Sequence, residues 1–283
     1  MTHQQDGIAR GKGALVSLMK KNNGLMQSEL TSFFSLKKGT SNQSYPSSQM
    51  GSIALLRQTF HDANWLKDNS ETRNISLENL NTQRTGNIIF HTDDKYEIVR
   101  ASKIAKEFDL SFNYIGSGNE YQIVDELSAI NSTVILPLNF PKAYDVSNPY
   151  ISRQIPLSDL KDWEMAPMNP VILKQHDISI CLSSMNVKNA KEFWSNLRSA
   201  IQHGLSMDDA LNALTLEPAK LIGVDKTMGS LEKGKFASFI VYNKNPFLES
   251  AKILETWMLG NQDVQGVEAN SEIAGEYNLI IEE

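Results

Sequence analysis

The chain has 283 residues, 41% hydrophobic and 21% charged, with a formal net charge of -6. That length can bury one large core or two modest ones, and the acidic balance offers no broad basic surface to a phosphate backbone, which sets nucleic-acid binding aside. No run of ~18 apolar residues occurs, the opening MTHQQDGIARGKGALVSL lacks the apolar stretch of a secretory signal, and the single Cys181 excludes an intrachain disulfide while leaving the compartment, cytoplasmic or periplasmic, open.

Periodicity and punctuation divide the chain into residues 1–86, 87–227 and 228–283. The first part is rich in Ser, Asn, Gln and Lys and reads as polar and helical. It holds an apolar patch from Ala14 to Met19, a loop from Lys37 to Gln49 containing Tyr45-Pro46, and an amphipathic helix from about Met50 to Leu66 in which Ile53, Leu56, Phe60 and Ala63 recur at helical spacing. Asp68 to Gly86 reads as a polar surface helix or a linker.

In the second part short apolar runs alternate with helical ones. Ile88 to His91 reads as a buried strand, after which Asp93-Asp94 supply the cap and early negative charge of a helix running to Phe108. A strand from Ser111 to Ile115 and a helix from about Glu120 to Ile130 follow. Next come a strand from Thr133 to Leu138 and, after a long excursion, a strand from Ile178 to Leu182. Helices Asn189 to His203 and Met207 to Leu214 close the part, the second opened by Ser206 with Asp209 three residues later. Strands alternating with helices imply a parallel sheet with right-handed crossovers, so the fold class is α/β. The third part differs in kind: turn chemistry from Gly229 to Lys235, a strand from Ala237 to Tyr242, and further extended segments at Ile253 to Leu259, Gly260 to Asp263 and Tyr277 to Ile281.

The run Ala210-Leu211-Asn212-Ala213-Leu214-Thr215-Leu216-Glu217-Pro218-Ala219-Lys220-Leu221-Ile222-Gly223, followed by Gly229-Ser230-Leu231-Glu232-Lys233-Gly234-Lys235 entering a strand, resembles the closing section of amidohydrolases of the imidazolonepropionase-like and dihydroorotase-like kind. Phe90-His91-Thr92-Asp93-Asp94 and Ala101 to Phe108 resemble a subgroup of the same superfamily, and together the matches span about the last two thirds of the chain. The resemblance implies a TIM-like (β/α) barrel with an appended small β-sandwich-type unit. A complete barrel needs ~250 residues, so the chain is expected to be the C-terminal portion of a longer ancestral protein, or the product of a fragmentary gene, carrying a partial barrel.

The resemblance also implies chemistry: metal-dependent hydrolysis of non-peptide carbon–nitrogen bonds. One or two divalent ions, zinc foremost, lower the pKa of water to near ~7, and an acid/base shuttles its proton. The superfamily's ligands are a His-x-His on the first strand, a His on each of the fifth and sixth, and an Asp on the eighth. His91 matches the fifth-strand ligand, whereas Gly116 stands where the sixth-strand His is expected and Ser184 where the eighth-strand Asp is expected. No His-x-His occurs, and His3 is followed by Gln4 and Gln5. One imidazole cannot hold a catalytic zinc. Asp93, Asp94 and Glu120 could gather around His91 to hold a harder ion, but helix capping is the ordinary use of the two aspartates.

Other candidates have plainer roles. His203, before Gly204, complements a helix C-terminus; His176 lies in a polar turn and His61 on a helix with nothing nearby to suggest a partner. Gly116-Ser117-Gly118 lacks the rest of a nucleotide motif, Ser183-Ser184 has no adjacent base, and Trp163 is expected to pack under the barrel rim. Two functions follow: a metal-dependent amidohydrolase acting on a small molecule and impaired by its substitutions, or a non-catalytic barrel binding a ligand or partner at the old active-site mouth. An incomplete barrel would expose strand edges, so association with another copy or with a further barrel segment is expected.

Overall fold

In a computed structural model of the protein, residues 6–18, 24–69 and 71–265 are described. They divide into two compact units, the chain passing from one to the other at Ser230–Leu231.

The first unit is built on a six-stranded sheet: β1 (Ala9–Val16), β2 (Leu25–Ser35), β3 (Asn87–His91), β4 (Phe112–Ile115), β5 (Val134–Pro137) and β6 (Ile180–Ser183), hydrogen-bonded in that order. β1 runs antiparallel to β2, and every later pair is parallel. Parallel strands laid down in chain order, each reached through helices, make a segment of a (β/α) barrel rather than a doubly wound sheet, whose strand order reverses. The connections are α1 (Gln49–Asp68) and α2 (Ile75–Gln83) between β2 and β3, α3 (Lys95–Glu107) before β4, and a 3-10 turn (Glu120–Ile123) running into α4 (Val124–Ile130) before β5. Between β5 and β6 lie α5 (Pro149–Ser152), α6 (Leu157–Met165), a 3-10 turn (Ala166–Met168) and α7 (Asn169–Gln175), and after β6 come α8 (Ala190–Gln202), α9 (Met207–Leu214) and α10 (Leu216–Leu221).

Side chains alternate between two buried faces, which is why β3 to β6 read as near-continuous apolar runs. Phe34, Phe90, Phe112, Tyr114 and Leu136 lie on one face, and Phe60 of α1 stands edge-on to both Phe34 and Phe108. The other face carries Phe33, Ile89, Ile115 and Cys181, which cluster with Leu221 of α10. Phenylalanine and aliphatic residues, with Tyr114 and Cys181, therefore make up the core, which holds no tryptophan among the described residues. Trp65 and Trp163 are 54% and 42% exposed, and Trp194 and Trp257 are partly exposed. Trp163 thus lies at the surface rather than packed under a rim.

Caps set the helix starts. Asp94 accepts from the N–H groups of Tyr96 and Glu97 at the head of α3, and Ser206 accepts from Asp209 N–H at the head of α9, while the Ser206 hydroxyl donates to the Asp209 carboxylate. His203 is the C-cap of α8, its Nδ1 2.7 Å from Ser199 O.

The structure departs from the sequence reading mainly near the N-terminus. Two strands, β1 and β2, stand where a polar, helical segment is expected; of the two readings of Asp68 to Gly86, the helix is found, as α2. The expected single helix from Glu120 begins as a 3-10 turn. The second unit is a three-stranded antiparallel sheet, β7 (Phe239–Tyr242), β8 (Ile253–Met258) and β9 (Asn261–Val264), with Phe239 stacked on Trp257. The segment Tyr277 to Ile281 lies outside the described residues. Among the described residues no helix is long and apolar enough to cross a membrane.

Candidate functional site

Parallel strands of a barrel present catalytic groups at their C-terminal ends. Ordered pairing lets each strand be counted: if β3 takes the fifth-strand place implied by His91, β4 is the sixth and β6 the eighth. Their ends are His91, the residue Gly116 that follows β4, and Ser183-Ser184.

His91 pairs laterally with Ser35 on β2 and Ile115 on β4, so its neighbours at the same level are a serine and an isoleucine. Thr92 seals the end of β3: its N–H and hydroxyl both donate to Ile115 O, at 3.1 and 2.7 Å. Ser184 is exposed just past β6, and the preceding Ser183 hydroxyl accepts from Met185 N–H at 3.2 Å. His3 lies outside the described residues.

The most elaborate construction is at Glu120. This side chain is fully buried. Its carboxylate accepts from the N–H groups of Ser117 and Gly118, from the Ser117 hydroxyl at 3.2 Å, and from the Asn169 side-chain amide at 2.7 Å. Asn169, itself 2% exposed and at the start of α7, also accepts Tyr121 N–H at 2.8 Å through its amide oxygen. Glu120 thus ties the Gly116–Gly118 loop to a helix 49 residues further along the chain.

The carboxylates do not gather around His91. Asp94 caps α3, Asp93 forms an ion pair with Lys37 at 2.8 Å, and Glu120 is engaged by its own loop and by Asn169. Glu97, 5% exposed, accepts Asp93 N–H at 2.8 Å and is hydrogen-bonded by the Gln49 side chain. Burial, reinforced by the nearby Asp93 and Asp94, raises the Glu97 carboxyl above the usual range despite these hydrogen bonds. Lys37, Ser48, Gln49, Asp93 and Glu97 line a cavity of about 480 Å³ beyond the end of β2. Ligands of α/β folds bind at this end of the strands.

The donor set does not fit the metal centre that the sequence implies. Among the described residues no three His, Cys, Asp or Glu side chains form a group able to hold a metal ion. On the strand count that His91 implies, the end of β4 carries a glycine facing a fully engaged carboxylate and the end of β6 a serine. Of the remaining histidines, His61 lies 3.6 Å from the Glu107 carboxylate and against the Phe108 ring, partners that sequence reading missed, and His176 is the C-cap of α7. Cys181 is buried in the sheet, and desolvation pushes its thiol up to about 12.

Residues 158–275 match the amidohydrolase family. An amidohydrolase from Thermotoga maritima MSB8 superposes with a TM-score of 0.74 at 19% identity, over 90% of this chain and 68% of that one, which establishes a shared fold. More remote are a prolidase complexed with N-methylphosphonate-L-proline (TM-score 0.47, 13% identity, 65% of this chain and 47% of that one) and an adenosine deaminase from Xanthomonas campestris with bound zinc (0.39, 12%, 86% and 64%).

Proposed function

We propose that this chain, whose residues 158–275 match the amidohydrolase family and whose fold is that of the Thermotoga maritima amidohydrolase, uses the strand-end face to bind a small polar ligand, with the family's hydrolysis of carbon–nitrogen bonds impaired. One observation carries this reading: of the three strand ends that the family uses here for ligands, only that of β3 keeps one, His91, while Gly116 and Ser184 supply none. Metal-assisted hydrolysis needs a bound water made acidic by an ion on about three protein ligands. Loss of two ligands removes far more affinity than a lone imidazole retains. The cavity beyond β2, lined by the paired Lys37 and Asp93 and by Gln49 and Glu97, offers both signs of charge and suits an amide or acylated amino acid better than a purely apolar ligand.

The test is elemental mass spectrometry on protein purified with zinc and manganese supplied, beside His91→Ala. The expected result is no stoichiometric metal in either. Stoichiometric metal in the wild type that disappears in His91→Ala would overturn the reading and put a working hydrolase in its place.

A further inference from the structure

We infer that the Glu120 carboxylate occupies the room a side chain at position 116 would need, so that the loop after β4 is rebuilt around an absent ligand and substitution at 116 alone cannot restore one. A Cβ placed on Gly116 would lie 2.5 Å from Glu120 Oε1, 2.7 Å from its Cδ and 3.2 Å from Oε2, and real Cβ atoms essentially never come within 3.0 Å of such neighbours. The end of a long side chain ordinarily yields to such a contact. Here it cannot do so cheaply, because the carboxylate is fully buried and held by Ser117, Gly118 and Asn169, and displacing it would leave those donors unpaired inside the protein.

Backbone conformation does not explain the glycine. Gly118 has φ +105°, a value that L side chains rarely adopt, and open space around it, so its glycine serves the turn. Gly116 has no such φ, and the three atoms nearest to a Cβ there all belong to the Glu120 carboxyl group. Glu120 is a positioning residue: it acts on the strand end through the loop. The meaning of position 116 as a former ligand place rests on the functional reading above, whereas the steric coupling of 116 to 120 does not.

The experiment is a cycle of thermal melts followed by far-ultraviolet circular dichroism. Gly116→Ala is made in the wild type and in Glu120→Ala, Glu120→Asp and Glu120→Gln backgrounds. In the wild type the substitution is expected to lower Tm by several degrees. In Glu120→Gln, which keeps the bulk, the loss should persist in full; in Glu120→Ala it should fall to less than half, and in Glu120→Asp, whose shorter arm draws back from 116, to an intermediate value. Glu120→Asp keeps the cycle decisive if Glu120→Ala does not fold. Equal losses in all backgrounds, or no loss in the wild type, would overturn the inference. So would stoichiometric zinc in Gly116→His measured as above, since a histidine at 116 is expected to gain none while Glu120 remains. Wild-type metal content decides the functional reading; the melts decide this one and are unaffected by it.

Discussion

Replacing Asn169 by alanine removes two hydrogen bonds at once from a buried place. The amide donates to Glu120 Oε2 at 2.7 Å and accepts from Tyr121 N–H at 2.8 Å, with Asn169 only 2% exposed. A hydrogen bond to a charged group contributes about 1.5–3 kcal/mol and a neutral one about 1 kcal/mol, and groups left unpaired in the interior keep their desolvation cost. The expected loss is therefore about 2.5–4 kcal/mol. At roughly 2–4 °C per kcal/mol for a body of this size, Tm should fall by about 5–16 °C. Asn169→Asp is the sharper perturbation. It keeps the acceptor for Tyr121 but sets a second carboxyl beside Glu120, where like charges favour retention of one shared proton. Two carboxylates at hydrogen-bond distance repel when both are charged, so the penalty is largest at neutral pH and is relieved on acidification. Melts of both variants across pH check this. A shift under about 2 °C for Asn169→Ala, or an Asn169→Asp deficit that does not shrink in acid, would refute the assignment of Asn169 as the clamp of this loop.

Three further outcomes are expected. Tyr114→Phe should leave stability unchanged or raise it by up to about 1 kcal/mol in urea titrations, because the Tyr114 hydroxyl is sealed from solvent with no hydrogen-bond partner among the described residues; a clear loss would reveal a partner. Glu97→Gln should gain on the wild type as pH rises. The folded-state pKa of Glu97 is raised by burial, so its contribution is fully present below the unfolded value near 4.5 and is lost through the raised one; a pH-independent difference would contradict this. Cys181, 2% exposed with its thiol pushed up to about 12, should resist alkylation at pH 8 until the protein is unfolded, and rapid native labelling would show that the sheet opens locally.

Sequence showed most clearly the parts whose burial is symmetrical. β3 to β6 are covered on both faces, so Ile88-Ile89-Phe90 and Ile180-Cys181-Leu182 appear as unbroken apolar runs, and Asp94 and Ser206 announce their helices by capping. β1 and β2 escaped because Arg10 and Lys12 interrupt the first and the outer half of the second, Gln27-Ser28-Glu29, is exposed; only the Phe33-Phe34 pair hinted at a core strand. In the excursion between β5 and β6, the Asn148-Pro149 and Asn169-Pro170 pairs were usable helix-start signals. At the site, the strand-end positions of His91, Gly116 and Ser184 could be read from motif and strand order. The role of Glu120 could not, because its clamp comes from Asn169 on a distant helix and no local pattern links the two.

The placement of the tryptophans has a practical consequence for how this protein reports on itself. Indole emission shifts to the red when water reaches the ring. Trp65 and Trp163 are already 54% and 42% exposed in the native state, and none of the four lies in the phenylalanine-lined interior. Loss of the sheet acts on their emission only indirectly, whereas opening of the helices that carry Trp65, Trp163 and Trp194 acts on it directly. A fluorescence melt would follow the periphery and a circular dichroism melt the core, so a gap between the two midpoints would measure how independently the outer helices fray.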